Sequence, residues 1–260
     1  MPVMEINLMV LNVGNSRLAV GAFVAGGLEF VRRVSIDDRA AWGTAVAEAW
    51  QRVAGKENAE IAGASVNPAA LEPLEHLVEQ TTGKRVQWVG REIDLPVKVL
   101  TDEPTQTGVD RVLNVAAAHE QLGHACVVVD AGTAVTVDLC NDAGDFVGGA
   151  IAPGASLMLR SLHEHTAKLP QVDFAAPQGA YGVNTVEAMR HGAFSAIRGL
   201  VKEVVENYAT TLGHWPEVIA TGGDAATLFA NWELVHAVSP DLIFYGIAAA
   251  YAEHHIKHRT

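Results

Sequence analysis

Three short turns, each carrying glycine beside small polar residues, follow three apolar runs of the strand type. They are Asn12-Val13-Gly14-Asn15, Asp130-Ala131-Gly132-Thr133 and Thr221-Gly222-Gly223. Glycine and small polar residues at such turns leave backbone N–H groups open to an anion, which is what a phosphate group needs. Each turn alone is more often only a turn. The three together favour a nucleotide-binding site.

A fourth segment, Gly108-Val109-Asp110-Arg111, lies where a loop leads into a predicted helix. An aspartate at this point can cap the helix and satisfy its first backbone N–H groups. It can equally act as a carboxylate base beside a guanidinium that binds anions. The spacing alone favours neither interpretation.

The opening pattern of the chain returns at an offset of 118 residues. The matched positions are Asn12 with Asp130, Gly14 with Gly132, Asn15 with Thr133, Ser16 with Ala134, and Gly26 with Gly144. The alternative is that two hairpins share turn chemistry by chance. One offset over five positions, flanked by long apolar runs, favours the duplication of a domain.

Short apolar strands alternate with amphipathic helices around these turns, which predicts an α/β fold. The predicted strands are 6–11, 18–24, 28–34, 61–66, 86–89, 97–100, 127–129, 135–139, 146–151 and 218–220. The predicted helices are 37–53, 71–81, 110–122, 156–166, 185–212, 225–229 and 241–255. No linker or low-complexity segment separates the halves. We therefore expect two domains, 1–113 and 114–260, packed around a central cleft.

Composition limits the partners of this chain. Its 260 residues carry a formal net charge of −12, with 49% hydrophobic and 18% charged residues. A strongly acidic surface argues against nucleic acid and anionic membranes, because both need a basic footprint. No apolar run approaches the roughly 18 residues that span a bilayer. The segment Met1–Glu5 lacks the basic start of a signal peptide, so the cytoplasm is the expected compartment.

The cysteine and histidine patterns do not by themselves predict a functional site. Cys126 and Cys140 flank one predicted turn and could face each other on paired strands; two buried, reduced thiols are the favoured interpretation. His254, His255 and His258 could suggest a metal site. No carboxylate or thiol lies at ligand spacing in the sequence, so a solvated helix end is expected there.

Together, these segments resemble the type III pantothenate kinases, of the acetate-kinase/Hsp70/actin-like superfamily. Each matching piece is short, but the pieces occur in the family's order over nearly the whole chain, and jointly they are specific. They are Asn12–Ser16, Gly108–Arg111, Asp130–Thr136, Gly148–Gly154, Thr166–Pro170, Gly182–Thr185 and Thr221–Gly223.

The resemblance implies two duplicated RNase-H-like (actin-like ATPase) domains and a homodimer built on the second domain. It implies the ATP-dependent phosphorylation of pantothenate to 4'-phosphopantothenate, which is the first step of coenzyme A biosynthesis. It also implies Mg²⁺ and a monovalent cation, K⁺ or NH₄⁺. The helix predicted over 185–212 carries more apolar residues than one face needs, which agrees with an interface.

The resemblance also implies roles for individual residues. Asp110 would be the general base, and Asp130 would bind the monovalent cation. Pantothenate would be held by Thr101, Gly108, Val109, Asp110, Arg111 and Thr185. ATP would be held by Asn12, Val13, Gly14, Asn15, Ser16, Arg17, Leu18, Ala19 and Thr133. Backbone N–H groups at Gly14 and Gly132 would neutralise phosphate charge.

Two positions depart from the family pattern. The family's first turn begins with Asp where this chain has Asn12, and it carries Tyr nine residues before the base where this chain has Thr101. We therefore expect weak ATP binding, a high Mg²⁺ requirement and slow turnover. A non-catalytic or weakly active regulator or binding protein on the same fold is the main alternative. A different kinase or a phosphatase of the superfamily is disfavoured by Gly108–Arg111 and Thr166–Pro170.

Overall fold

Two five-stranded sheets, with helices between their strands, make up the part of the chain that the computed structural model describes, residues 6–258. The strands are β1 Leu8–Val13, β2 Arg17–Val24, β3 Gly27–Ser35, β4 Glu60–Ser65, β5 Gln87–Trp88, β6 Cys126–Ala131, β7 Ala134–Cys140, β8 Phe146–Pro153, β9 Glu217–Thr221 and β10 Ala237–Val238. The helices are α1 Arg39–Val53, α2 Pro68–Thr82, α3 Val109–Leu122, α4 Ala155–Glu164, α5 Thr185–Leu212, α6 Ala225–Phe229 and α7 Leu242–Lys257, with a 3₁₀ turn at Pro104–Gln106.

The two sheets have the same topology. The first has the order β3-β2-β1-β4-β5 and the second the order β10-β9-β6-β7-β8. In each, the first strand pairs antiparallel with the second and parallel with the fourth. Leu8 corresponds to Cys126 and Val13 to Ala131, so the first strands keep the offset of 118 residues at both ends. The predicted α/β duplication is confirmed at the level of topology.

The central strand of the first sheet, β1, is buried on both faces. Side chains alternate along β1, so that Met9 and Leu11 lie in the cluster formed with α1 and α2. Leu8 and Val10 lie in a second cluster on the other face. All four side chains are fully buried. This explains why β1 is continuously apolar from Leu8 to Leu11, as is typical of a strand covered on both sides.

The last helix packs with the beginning of the chain. Ile243, Phe244 and Ile247 of α7 are buried in the same cluster as Leu8 and Val10. The contacts therefore group the described residues of Met1–Lys98, Thr105–Ala117 and Ile243–Thr260 into a first unit, and Val99–Pro104 with Ala118–Leu242 into a second. This differs from the expected boundary between residues 113 and 114, which falls inside α3.

The second sheet packs against the long helix α5. Val127 and Val129 of β6 share a cluster with Ile197, Val201 and Val205 of that helix. The bounds of α5, Thr185–Leu212, agree with the predicted helix, and its predicted apolar stripe is buried apart from Phe194, which is half-buried. The period of 3.6 residues identified this core-facing stripe correctly.

Some predicted elements differ in detail. The strand predicted over 97–100 is reduced to a bridge between Val99 and Phe146, with the Leu100 N–H donating to the Phe146 carbonyl at 2.8 Å. The two-residue strand β10 was not predicted, because so short a run has no readable periodicity. Cys126 and Cys140 are buried free cysteines paired across β6 and β7, as the sequence indicated.

No helix within residues 6–258 is long and apolar enough to cross a membrane. The longest, α5, has 28 residues. Its charged side chains, such as Lys202 and Glu206, pair with each other on its outer side. Its apolar residues form a stripe, whereas a membrane-spanning helix is apolar all round.

Helix α7 approaches α3 so closely that Gly246 leaves no room for a side chain. A Cβ atom at this position would lie 2.8 Å from the carbonyl carbon of Leu113. We expect Gly246→Ala to lower the free energy of unfolding by about 1–3 kcal/mol, because backbone must move to admit the methyl group. Urea unfolding of the purified variant measures this change.

The matched control is Gly199→Ala in α5, where a Cβ atom would meet nothing within 4 Å. The same substitution there should raise the free energy of unfolding by up to about 1 kcal/mol, since alanine favours the helix over glycine. Equal effects of the two substitutions would contradict the close helix contact at Gly246.

Candidate functional site

The first glycine turn connects β1 and β2 at the carboxyl end of β1. The carboxyl end of the parallel strand β4 lies beside it, since Val13 is opposite Ser65. Val66 donates its N–H to the Val13 carbonyl at 3.1 Å, and the Asn67 side chain donates to the Gly14 carbonyl at 3.4 Å. Ligands of open α/β sheets bind at carboxyl ends of strands. The first turn therefore lies at an edge suited to ligand binding.

The structure corrects the expected role of two glycine N–H groups. The Gly14 N–H donates to the Arg17 carbonyl at 3.0 Å, and the Gly132 N–H donates to the Ala134 carbonyl at 3.0 Å. Both bonds close the turns of their hairpins, so these donors are already used within the protein. Sequence reasoning missed this because glycine was taken only as a sign of accessible backbone.

The side chains predicted to hold ATP have different exposures in the first turn. Val13 and Leu18 are fully buried in the core cluster of the first sheet, and Ala19 is nearly so. Asn15, Ser16 and Arg17 are exposed, whereas Asn12 and Gly14 are half-buried. Any ligand at this turn would therefore meet the tip side chains and the strand backbone. It would not meet the side chains of Val13 and Leu18.

The second glycine turn, between β6 and β7, is surrounded by backbone from two other loops. The Ala131 carbonyl accepts the N–H of Asp224 at 2.9 Å, and the Thr133 carbonyl accepts the N–H of Gly154 at 3.0 Å. A Cβ atom at residue 154 would collide with the Gly132 carbonyl oxygen. The loops after β8 and β9 thus hold this turn by direct backbone contact.

Asp130 lies at the end of β6, opposite Thr136 on β7 and Thr221 on β9. It is half-buried. Its Oδ1 would be only 2.5 Å from a Cβ atom at Gly222, a residue with a φ of +94°. The absence of a side chain at Gly222 is what leaves room for this carboxylate. The third glycine turn therefore shapes the surroundings of Asp130.

Asp110 lies in the first turn of α3. Its Oδ1 accepts the backbone N–H of Arg111 at 2.9 Å, so the carboxylate does satisfy an N–H group of the helix start. A Cβ atom at Gly108 would come within 2.7 Å of the same oxygen. Gly108 thus makes room for the carboxylate, which explains the spacing Gly-x-Asp.

Burial raises the pKa of the Asp110 carboxyl above its ordinary value of 3.8. The hydrogen bond from the Arg111 backbone and the Arg111 charge act in the opposite direction, but burial is the larger effect. Carboxylates that accept a proton in catalysis gain from a pKa closer to the working pH. The environment of Asp110 is therefore that of a candidate base as well as a helix cap.

Thr185 begins α5 and lines a cavity of about 770 Å³ between α4 and α5. The walls of the cavity are mostly apolar, with Leu162 and Met189 among them. The preceding loop passes directly over the first turn of α5, because a Cβ atom at Gly182 would lie 2.6 Å from the Glu187 carbonyl carbon. The side chain of Asn184 caps the helix by accepting the Glu187 N–H at 3.0 Å.

The predicted site residues divide between the two contact units. The segments Asn12–Ala19 and Gly108–Arg111 belong to the first, and Thr101, Asp130, Thr133 and Thr185 belong to the second. Asn67 was missed by sequence reasoning although it contacts the first turn. The available signal was the pair Asn67-Pro68, which is typical of a helix start placed directly after a strand.

Comparison with known proteins identifies relatives along most of the chain. The sequence profile described as type III pantothenate kinase matches residues 8–207. A type III pantothenate kinase of Dehalococcoides mccartyi is 40% identical over 163 residues, which span 63% of this chain and 63% of that relative. That alignment thus covers less than two thirds of the relative's length. A type III pantothenate kinase of Syntrophotalea carbinolica is 32% identical over 250 residues, 94% of this chain and 98% of the relative.

The fold is shared with more distant proteins. MreB 5 of Spiroplasma citri, solved with AMPPNP, superimposes with a TM-score of 0.50 at 13% identity, covering 96% of each chain. At that identity the likeness shows the actin-like ATPase fold alone. The profile match covers more than half of the chain, and a relative above 30% identity extends along nearly all of it. On these grounds the chain belongs to the type III pantothenate kinase family.

Proposed function

We propose that this chain transfers the terminal phosphoryl group of ATP to the primary hydroxyl of pantothenate, giving 4'-phosphopantothenate and ADP, the first step toward coenzyme A. The observation that carries the proposal is the half-buried Asp110 carboxyl, for which Gly108 leaves room and which the Arg111 N–H orients, at the residue where the family motif has its base. Nothing in the comparisons favours the non-catalytic alternative. The cytoplasm, where ATP is abundant, is the proposed compartment.

The proposed role of Asp110 is to accept the proton of the substrate hydroxyl as the new P–O bond forms. Phosphoryl transfer demands positioning and charge neutralisation more than covalent help from protein. The Arg111 N–H bond fixes one carboxylate oxygen at 2.9 Å, which orients the group. The Arg111 guanidinium is the proposed anion binder for pantothenate, together with Thr101, Gly108, Val109 and Thr185.

The proposed ATP contacts lie at the first turn and strand, Asn12–Ala19, and at Thr133. Because the N–H groups of Gly14 and Gly132 already donate within the protein, other groups of these turns are the proposed donors to the phosphates. The exposed tips, with Asn15 and Ser16 in the first turn and Thr133 in the second, carry side chains that can donate to phosphate oxygens. The proposed function of the two hydrogen bonds that close the turns, from the N–H groups of Gly14 and Gly132, is to hold these tips rigid.

Asp130 fits a monovalent cation such as K⁺ or NH₄⁺. Its carboxylate lies in space that any side chain at Gly222 would fill, and oxygen donors suit a hard cation such as K⁺. When bound, such a cation would neutralise charge on the nucleotide phosphates. The first turn fits Mg²⁺ less well, because Asn12 offers a neutral amide oxygen. Mg²⁺ would then be held mainly by ATP phosphates and water.

A homodimer built on the second unit is also part of the proposal. Several large apolar side chains of this unit are exposed, including Ile151 at 65%, Tyr181 at 74% and Val183 at 81%. Leu162 is 39% exposed and also lines the apolar cavity between α4 and α5. Large apolar side chains left exposed beside an apolar cavity are typical of an interface between proteins.

Asp110→Asn should lower kcat by at least about 10²-fold, because the amide cannot accept the hydroxyl proton. The variant should be no less stable than the parent at pH 7. A carboxyl whose pKa is raised by folding destabilises the folded state once it ionises, and the amide removes that cost. A coupled ADP-release assay and thermal unfolding measure the two effects.

The parent enzyme should also lose kcat/KM as pH falls, with an acid limb above pH 3.8, the ordinary value for Asp, because the required carboxylate is protonated sooner than usual. Asp102→Asn, at an exposed residue in the loop before α3, is the control and should keep normal turnover. Turnover close to normal in a folded Asp110→Asn variant would reduce Asp110 to a helix cap.

Asn12→Asp should raise kcat or lower the Mg²⁺ concentration needed for half-maximal rate, because a charged ligand holds a hard cation better than a neutral amide. The measurement is a Mg²⁺ titration at saturating pantothenate and K⁺. Asn15→Asp adds the same charge at the exposed tip of the turn and should not lower the Mg²⁺ requirement. No difference between Asn12→Asp and the parent would mean that the metal is held elsewhere.

Leu162→Asp should convert the dimer to single chains, because a charge placed in an apolar interface must be desolvated without a partner. Sedimentation velocity at micromolar concentration distinguishes one chain from two. Trp215→Ser changes an apolar residue, 50% exposed, beyond the end of α5, and should leave the dimer intact. A parent protein that sediments only as a single chain would contradict the proposed assembly.

A further inference from the structure

The C-terminal end of α7 brings two histidines beside an aspartate from a distant part of the chain. The rings of His254 and His258 are stacked, with centroids 4.2 Å apart. Asp94 Oδ2 lies 3.8 Å from His254 Nδ1, and ligand atoms of all three residues lie within 4.8 Å of one another. The sequence predicted a solvated helix end here, because no carboxylate or thiol lies at ligand spacing in the sequence. In the folded chain, Asp94 provides a carboxylate at this helix end.

Asp94 is held in place by its neighbours. Ile93 is 1% exposed and belongs to the same core cluster as Ile247 and Tyr251 of α7, against which Leu95 also packs. The Gly90 N–H donates to the Ile93 carbonyl at 2.7 Å. The packing on both sides of Asp94 therefore fixes its backbone against α7. The approach of its carboxylate to the histidines is thus a consequence of the fold.

One ring nitrogen in this cluster lacks a hydrogen bond. His254 Nδ1 is buried and has no hydrogen-bond partner among the described residues. Its distance of 3.8 Å from Asp94 Oδ2 is too long for a hydrogen bond. Two ligands on one tetrahedral ion, with bonds of about 2.1 Å, are separated by about 3.4 Å. An ion between the two atoms would satisfy both after a small movement of the exposed Asp94 side chain.

A backbone hydrogen bond sets the tautomer of the second histidine. His258 Nδ1 lies 2.8 Å from the His254 carbonyl oxygen. Because a carbonyl only accepts, Nδ1 carries the proton, and the lone pair is left on Nε2. Histidines that bind metals commonly donate their other ring N–H to a backbone carbonyl in this way. The hydrogen bond therefore sets the tautomer that a ligand needs.

We propose that Asp94, His254 and His258 bind one divalent transition-metal ion of the Zn²⁺, Co²⁺ or Ni²⁺ class, with water completing the coordination. Two imidazoles and one carboxylate are typical of these ions, whereas Mg²⁺ and K⁺ prefer oxygen donors. The nearby ammonium of Lys257 is paired with Glu253 at 2.6 Å. The bound ion ties the end of α7 to the segment after β5. None of the three ligands takes part in the proposed phosphoryl transfer.

The test uses the full-length protein, prepared without a histidine tag and stripped with a chelator that is then removed. Zn²⁺ alone is titrated calorimetrically, and Co²⁺ is titrated by its visible absorption. We expect one equivalent to bind, with the intense absorption of a four-coordinate Co²⁺ site. Loss of an outer partner already weakens metal sites by about 10–100-fold, so Asp94→Asn and His258→Gln should each weaken binding by about 100-fold or more.

His255→Gln is the matched control. It lies on the same helix, but its ring packs against Tyr251 and it is not one of the three clustered ligands. This variant should bind Zn²⁺ like the parent, and Zn²⁺ should raise Tm in both but not in Asp94→Asn. Circular dichroism verifies that each variant is folded. Equal affinity in parent, Asp94→Asn and His258→Gln, or no stoichiometric binding by the parent, would overturn the proposal.

Discussion

Direct contact between backbone segments is the constraint on which the candidate site of the second unit depends. The carbonyls of Ala131 and Thr133 accept hydrogen bonds from Asp224 and Gly154, so the loops after β9 and β8 press against the turn. Such contact is possible only where side chains are missing, which is why residues 154 and 222 are glycines. The same missing side chain at Gly222 leaves the space around Asp130. The absence of a side chain at Gly222 therefore allows both the close backbone contact and the position of the Asp130 carboxylate.

Asp110 shows how one side chain serves both local structure and chemistry. The hydrogen bond from the Arg111 N–H satisfies a helix-start donor, and it also fixes the orientation of the carboxylate. Burial opposes ionisation, and the raised pKa shows that burial prevails over the nearby charge of Arg111. Keeping the buried Asp110 carboxylate ionised lowers the stability of the folded protein, and it makes the carboxylate a stronger base. A helix cap alone would need no such burial, because exposed aspartates cap helices well.

The sequence predicted what depends on local pattern. The bounds of α5 follow from the helical period, and the repeated turns indicated the duplication that the shared topology of the two sheets confirms. It did not predict contacts between distant segments. The packing of α7 on the first sheet, the approach of Asp94 to His254 and the weak pairing of Val99 all depend on tertiary structure. The use of the Gly14 and Gly132 N–H groups was missed for a different reason. Glycine allows a turn, but it does not determine which acceptor the turn places nearby.

The two hairpins also show how a duplicated element diverges. Gly14 bonds to the residue three positions on, whereas Gly132 bonds to the residue two positions on, so the first turn is one residue longer. The offset of 118 residues is restored at Gly26 and Gly144, which both have positive φ. Four residues separate the paired Phe23 and Leu28, whereas five separate the equivalent pair Cys140 and Phe146, so the connection after the second strand makes up the difference. At equivalent strand ends the first unit has the neutral Asn12 and the second the charged Asp130. In the second unit the absence of a side chain at Gly222 leaves room for that carboxylate.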